Sequence, residues 1–181
     1  TAQVLSVKVR REVNLIPEAL VVLESGDIAE QNFADADGDT YKVGNEITVS
    51  GFYGDGSTQE LFAGMITGTR IRITGARGPR LELTCRDKAI KLTTARSSTL
   101  YEEKKDSDVM STLISDTSLT ADVTAVKSAA RDQVRYDCTD WDFLRALADR
   151  NGYILTIAGG KVKSAPPDTS SSAVLTLTLG V

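Results

Sequence analysis

Histidine is absent from this chain of 181 residues. That absence removes Ser-His-Asp and Cys-His nucleophilic sites and histidine-ligated zinc together. Cysteine is scarce: Cys85 and Cys138 alone make no disulfide framework and cannot close a four-ligand zinc site unaided. Each stands where an apolar residue would fit a strand or its end, and both are read as buried free thiols. No apolar run approaches the roughly 18 residues of a membrane-spanning helix. Thr1-Ala2-Gln3-Val4-Leu5 has no basic stretch followed by an apolar block, so no Sec signal is read at this start. Positive charge is not in surplus: 21 Lys and Arg face 25 Asp and Glu, a net charge of −4. This argues against general nucleic-acid binding by bulk electrostatics. No Walker sequence occurs, and Gly51-Phe52-Tyr53-Gly54-Asp55-Gly56 lacks the G-x-G-x-x-G spacing. Aromatics are few, and the single tryptophan, Trp141, is read as a core anchor.

What remains is mostly alternation. Leu5, Val7 and Val9 face one way, and Ser6, Lys8 and Arg10 the other. Ile47 and Val49, Ile71 and Ile73, Leu81, Leu83 and Cys85, and Leu175, Leu177 and Leu179 repeat the pattern, with polar residues between. Strands of this kind bury one face and wet the other, as antiparallel sheets and small barrels require. Turn chemistry divides them at Gly54-Asp55-Gly56-Ser57, at Gly75-Ala76-Arg77-Gly78-Pro79 and at Gly159-Gly160. The expected strands cover about 4–10, 46–53, 60–74, 80–87 and 174–179, and the expected helices 107–116 and 139–150. The first helix groups Val109, Met110, Leu113 and Ile114. Residues 117–132 read as small, polar and irregular. The fold class expected is mainly β (α+β): a β-barrel or strongly curved sheet over 1–98, a small α/β subdomain with two helices over 99–165, and a connector with a strand over 166–181.

The most structured stretch is 136–153. Thr139 is a good N-cap, and Asp142 stands where a capping box places its acid. Cys138 and Phe143 occupy the positions of a hydrophobic staple. Phe143, Leu144, Leu147 and Ala148 form one apolar face, bordered by Trp141. Asp140 and Asp142 at the start and Arg145 and Arg150 toward the end suit the helix dipole. Gly152 is the left-handed residue that ends the helix, and Tyr153 begins the next strand. Thr139, Trp141, Phe143, Leu144 and Gly152 are the structural anchors expected here.

Charge is segregated. Residues 24–60 carry nine acids against Lys42, and residues 70–96 carry eight bases against Glu82 and Asp87. These are wet faces of neighbouring strands, or surfaces that meet across a subunit contact. The basic segment lacks the interleaved aromatics of a nucleic-acid groove. Asp35, Asp37, Asp39 and Glu46 fall at positions 1, 3, 5 and 12 of a calcium loop. However, Thr40 holds the position that needs glycine and a strand follows, so the loop is read as a solvated acidic one. No catalytic, cofactor-binding or metal-binding residues are assigned, no cofactor is expected, and the chain is read as a non-enzyme.

The 136–153 stretch also carries a resemblance. Tyr136, then Asp140-Trp141-Asp142-Phe143-Leu144, then Arg145-Ala146 and Asn151-Gly152-Tyr153 resemble the Q-Y-x-x-(S/T)-D-W-(D/E)-F-L segment of VgrG-type spike proteins, relatives of bacteriophage tail hub and late-control gene D proteins. Four more pieces occur in the family's order. They are Gly44-Asn45-Glu46-Ile47 to Gly51-Phe52-Tyr53, Leu61-Phe62-Ala63-Gly64-Met65-Ile66, Cys85-Arg86-Asp87-Lys88-Ala89-Ile90-Lys91-Leu92-Thr93, and Asp106-Ser107-Asp108-Val109. Together they span about 12–167. The resemblance implies that 1–98 is a tail-tube-like barrel and that 166–181 leads toward a second barrel and a spike beyond the given sequence. It implies a structural hub of a contractile injection machine: a phage tail, type VI secretion or extracellular injection particle. The implied partners are two further copies of the chain in a homotrimer, a hexameric tube protein and a spike or tip protein, with no nucleic acid and no stable membrane insertion. The implied setting is assembly in the bacterial cytoplasm into a virion or a secreted particle. The alternatives are a cell-wall-degrading hydrolase domain of a tail hub, which could use carboxylates without histidine, and a carbohydrate-binding β-domain, which would show exposed aromatics.

Overall fold

The computed structural model describes residues 3–26, 33, 36, 38–52, 54, 56–74, 78–170 and 172. The strand expected at Val174–Leu179, the turn at Gly75-Ala76-Arg77, and Asp35 and Asp37 of the acidic loop lie outside the described residues. The first unit is a five-stranded antiparallel sheet. It comprises β1 (Gln3–Arg10), β2 (Glu18–Glu24), β3 (Glu46–Gly51), β4 (Gln59–Thr74) and β5 (Gly78–Arg86), in the spatial order β1-β2-β5-β4-β3. It curls into a half-barrel. Ala19, Val21 and Leu23 of β2 sit opposite Cys85, Leu83 and Leu81 of β5, and these six side chains form the core with Phe62 and Ile66 of β4.

Strand β2 was not among the expected strands. Its sequence, Glu-Ala-Leu-Val-Val-Leu-Glu, is a continuous apolar run because the strand is central, and its outer face keeps Leu20 and Val22 as well. Period-two patterning does not mark such a strand.

A 3-10 turn, Lys88–Thr93, leads into the second unit. There β6 (Arg96–Lys104) pairs antiparallel with β8 (Arg131–Thr139) as a two-stranded ribbon. β7 (Thr120–Val123), β10 (Lys161–Ala165) and β9 (Ile154–Ala158) make a three-stranded sheet in that order, with β7 parallel to β10. The helices are α1 (Asp106–Asp116) and α2 (Asp140–Arg150). Val109, Met110, Leu113 and Ile114 of α1 are buried against Leu144, Leu147 and Ala148 of α2 and against Leu155, Ile157 and Val162 of the small sheet. β7 corrects the irregular reading of 117–132. Its four residues, Thr-Ala-Asp-Val, are too short to show a period, and the β10 register fixes them as a strand.

Strands take 50% of the described residues and helices 19%, which settles the class as mainly β. Gly64 shows why the Phe62-Ala63-Gly64 spacing matters. A Cβ there would run into the Arg86 carbonyl oxygen and within 2.8 Å of Phe62 Cζ. The bare backbone therefore lets β4 cross β5 where the buried Phe62 ring sits. Gly64→Ala should lower stability by about 1–3 kcal/mol through overpacking, measured by urea unfolding; an unchanged midpoint would contradict this packing.

Candidate functional site

Four of the five expected anchors, Thr139, Trp141, Phe143 and Leu144, lie at the start of α2, and Gly152 follows its other end. Thr139 Oγ1 accepts a hydrogen bond from the Asp142 N–H at 3.0 Å and donates to Asp142 Oδ2 at 2.8 Å. Asp142 thus meets the capping hydroxyl rather than the backbone N–H that the longer Glu reaches. At the far end Tyr153 N–H donates to the Ala148 carbonyl and Gly152 N–H to Asp149, with Gly152 at φ +66°. Both hydrogen bonds of a Schellman ending are present, and the left-handed residue is a glycine. Leu144, Leu147 and Ala148 are buried as the periodicity requires, and Trp141 lies on that face instead of bordering it. Phe143 is only half-buried, its ring stacked on Tyr101 of β6 at 6.1 Å. Cys138 beside it is also half-buried, whereas Cys85 lies in the sheet core, where burial pushes its thiol up to about 11.

The residue that organises this end of the molecule was not singled out for a role in the sequence. Asp106 opens α1, and the residue is 1% exposed. Asn151 Nδ2 donates to Oδ2 at 2.7 Å, Arg150 Nε to Oδ2 at 3.0 Å, and Arg131 to both oxygens at 3.2 and 3.3 Å. The network continues outward. Arg150 donates to Gln133 Oε1 at 2.7 Å, and Gln133 Nε2 to the Lys104 carbonyl at 3.0 Å. Asn151 also donates to the Leu147 carbonyl, satisfying a terminal acceptor of α2. Burial alone would push the Asp106 carboxyl up. The Asn151 hydrogen bond and the Arg150 and Arg131 charges outweigh it and hold the carboxyl below the usual carboxylate range. One carboxylate therefore joins the start of α1, the end of α2 and strand β8. Its partners lie 25 to 45 residues away, a spacing that no local motif announces.

A second buried carboxylate joins the two units. Asp87 follows β5 and caps the 3-10 turn by accepting from Ala89 N–H at 2.9 Å. It also accepts from Gly160 N–H at 3.2 Å, in the tight turn between β9 and β10. Asn14, at φ +61° in the β1–β2 connection, donates its N–H to the Leu155 carbonyl and accepts the Leu155 N–H through Oδ1 at 2.8 Å. Lys88 Nζ reaches Glu46 at 2.6 Å. Trp141 shows only a sliver to solvent, at the floor of a 260 Å³ groove along this junction, lined also by Arg10, Leu15, Glu18 and Arg86.

Asp106 and Asp87 both have their oxygens engaged by donors. Among the described residues no group of three or more Cys, Asp or Glu converges to hold a metal. Glu46, position 12 of the acidic loop, is occupied by Lys88. That pair also joins the acidic and basic segments within one chain. Other charges of the basic segment find acids on neighbouring strands, Arg72 with Glu82 at 2.8 Å and Arg86 with Glu18 at 3.8 Å.

A carboxyl depressed in the folded state stabilises it above the unfolded value of about 3.9, and that stabilisation is lost as pH falls through the lower folded value. Asp106→Asn should cost about 2 kcal/mol at neutral pH, and its destabilisation relative to the parent should shrink as pH falls through that window. Melting curves from pH 7 downward check this; a penalty independent of pH would contradict the charged network. Leu144→Ala should cost about 3 kcal/mol and Thr139→Ala about 1 kcal/mol in urea unfolding, in that order.

Comparison with solved structures places the fold. The E. coli c3393 protein, described as a component of the type VI secretion system with structural similarity to the T4 bacteriophage tail proteins gp27 and gp5, superposes with a TM-score of 0.67 at 14% identity, over 90% of this chain and 46% of that one. The prophage MuSo2 43 kDa tail protein of Shewanella oneidensis gives 0.62 at 11% identity, over 91% of this chain and 54% of the other. A tail protein of Neisseria meningitidis MC58 gives 0.59 at 16%, over 96% and 53%. The chain thus spans about half the length of the structures it matches and shares their fold. No curated protein matches its sequence significantly. The VgrG-type resemblance is met at the level of this tail-protein fold, and the family model that matches is a different one. It covers residues 1–181, and by it the chain belongs to the Alg8 N-terminal domain family.

Proposed function

We propose that this chain is a structural part of a contractile injection machine, in the hub that joins a hexameric tube to a trimeric spike. The observation that carries the reading is the fold shared with the c3393 protein over 90% of this chain, together with the five ordered motifs that resemble VgrG-type hubs. The two other superposing structures are tail proteins as well. The arrangement of the buried groups suits such a role. Carboxylates, amides and guanidiniums are spent on tying elements together, and the proposed hub performs no reaction. In this reading the whole protein is a homotrimer. Its curled sheets face the tube, and the particle is built in the bacterial cytoplasm before release.

The reading makes a stoichiometric prediction. Quantitative mass spectrometry of purified particles from the native host should find about three copies of the protein per particle, and deleting its gene should abolish complete tails. Tens of copies per particle, as for a tube or sheath subunit, or its absence from particles, would overturn the assignment.

A further inference from the structure

Among the described residues nothing covers the outer face of the β6–β8 ribbon. Its inner face is covered: Gln133 and Arg135 are buried, and Tyr101 stacks on Phe143. On the outer side Leu100 and Val134 sit directly opposite each other across the ribbon, 56% and 63% exposed, and Tyr136, next on that side of β8, is 80% exposed. A wet strand face seldom holds three adjacent large apolar side chains. The backbone beside them is strained. Asp137 stands at φ +38° where the ribbon register shifts. Ser98 Oγ holds it by accepting its N–H at 3.1 Å, and Arg96 Nε by donating to its carbonyl at 3.0 Å. A bulge held in this way re-aims the neighbouring side chain, and strain of this kind persists where the surroundings fix it. Here the neighbouring side chain is Tyr136.

A complementary surface lies on the convex side of the large sheet. Lys8, Leu20, Thr84 and Gly68 stand in one row across β1, β2, β5 and β4. Gly68 contributes no side chain, and Leu20, 39% exposed, forms the apolar part of a groove of about 390 Å³. Lys8 borders the groove on one side, and Arg70 follows Gly68 on the same face of β4. Among the described residues neither base takes part in an ion pair. Beside the ribbon patch, Glu102 is likewise without an ion pair, and Asp132 accepts only the Glu103 N–H. The ribbon therefore offers an aromatic knob with an acidic rim. The sheet offers a groove floored by Leu20, in which Arg10 and Glu18 pair with each other at 3.7 Å and Lys8 and Arg70 leave the surplus charge positive.

We propose that the ribbon face, anchored by Tyr136, docks into the Leu20 groove of a second copy of this chain. Tyrosine is a favoured anchor because it buries a large rigid area at low entropic cost and keeps a polar tip. Unpaired acids meeting unpaired bases orient the contact more than they tighten it. The two surfaces differ, so the contact is heterologous, and each copy carries one knob and one groove. The inference does not depend on the proposed tail role, because it uses only surfaces of this chain.

Sedimentation velocity over a concentration series tests it. The parent chain should show reversible association that weakens with salt. Tyr136→Ser and Leu20→Glu should each remain monomeric with unchanged melting temperatures, since both side chains are exposed; Lys8→Glu replaces Leu20→Glu if that variant melts early. An equimolar mixture of the two variants should form a dimer and grow no further, because one copy retains its groove and the other its knob. A monomeric parent at every concentration, a Tyr136→Ser variant that associates like the parent, or a mixture that stays monomeric would overturn the proposal.

Discussion

The molecule depends on a buried carboxylate at the seam between its two cores. Asp87 follows the last strand of the half-barrel, caps the 3-10 turn that starts the second unit, and receives the Gly160 N–H from that unit's far hairpin. Losing the acceptor would leave two N–H groups facing a dry seam, at about 1–3 kcal/mol each. Asn14 makes the matching clasp on the other side by pairing with Leu155 as a strand would. Backbone-directed bonds of this kind fix the relative position of two elements more narrowly than apolar contact does, because they are directional.

Within the second unit Asp106 has the same role at shorter range. The Asn151 amide satisfies the Leu147 carbonyl at the end of α2, where backbone acceptors lack partners, and at the same time donates to Asp106 at the start of α1, so one amide and one carboxylate tie the two helices together. A body built in this way resists shear between its elements. The proposed hub role needs that stiffness, since a hub of this kind would transmit thrust. The heterologous knob-and-groove contact would add an orientation between copies without making the assembly permanent.

The sequence showed features that have a local cause. Thr139 and Gly152 are legible because caps are decided within one turn of helix, and the faces of α1 and α2 because a 3.6-residue period is long enough to read. Strand β2 escaped because a central strand lined with apolar residues on both faces has no alternation, and β7 because four residues cannot show one. Trp141 was read as bordering its helix face and lies on it, since the packed partner decides how wide that face is. Phe143 was placed in the apolar face and is only half-buried, because its ring turns to Tyr101 at the edge of the core. The Asp106 network and the Asp87 clasp were out of reach. Their partners are 25 to 73 residues away, and a lone aspartate before a helix reads equally well as a solvated cap.

The central claim is that the two cores behave as one rigid body through this seam. Each core contains its own reporter: Trp141 in the second, and the buried Cys85 thiol in the half-barrel. An equilibrium urea titration followed by Trp141 fluorescence and by pulsed labelling of Cys85 tests the claim directly. Coincident transitions with one midpoint and one slope are expected. A Cys85 transition separated from that of Trp141 would show two independently unfolding units and contradict it.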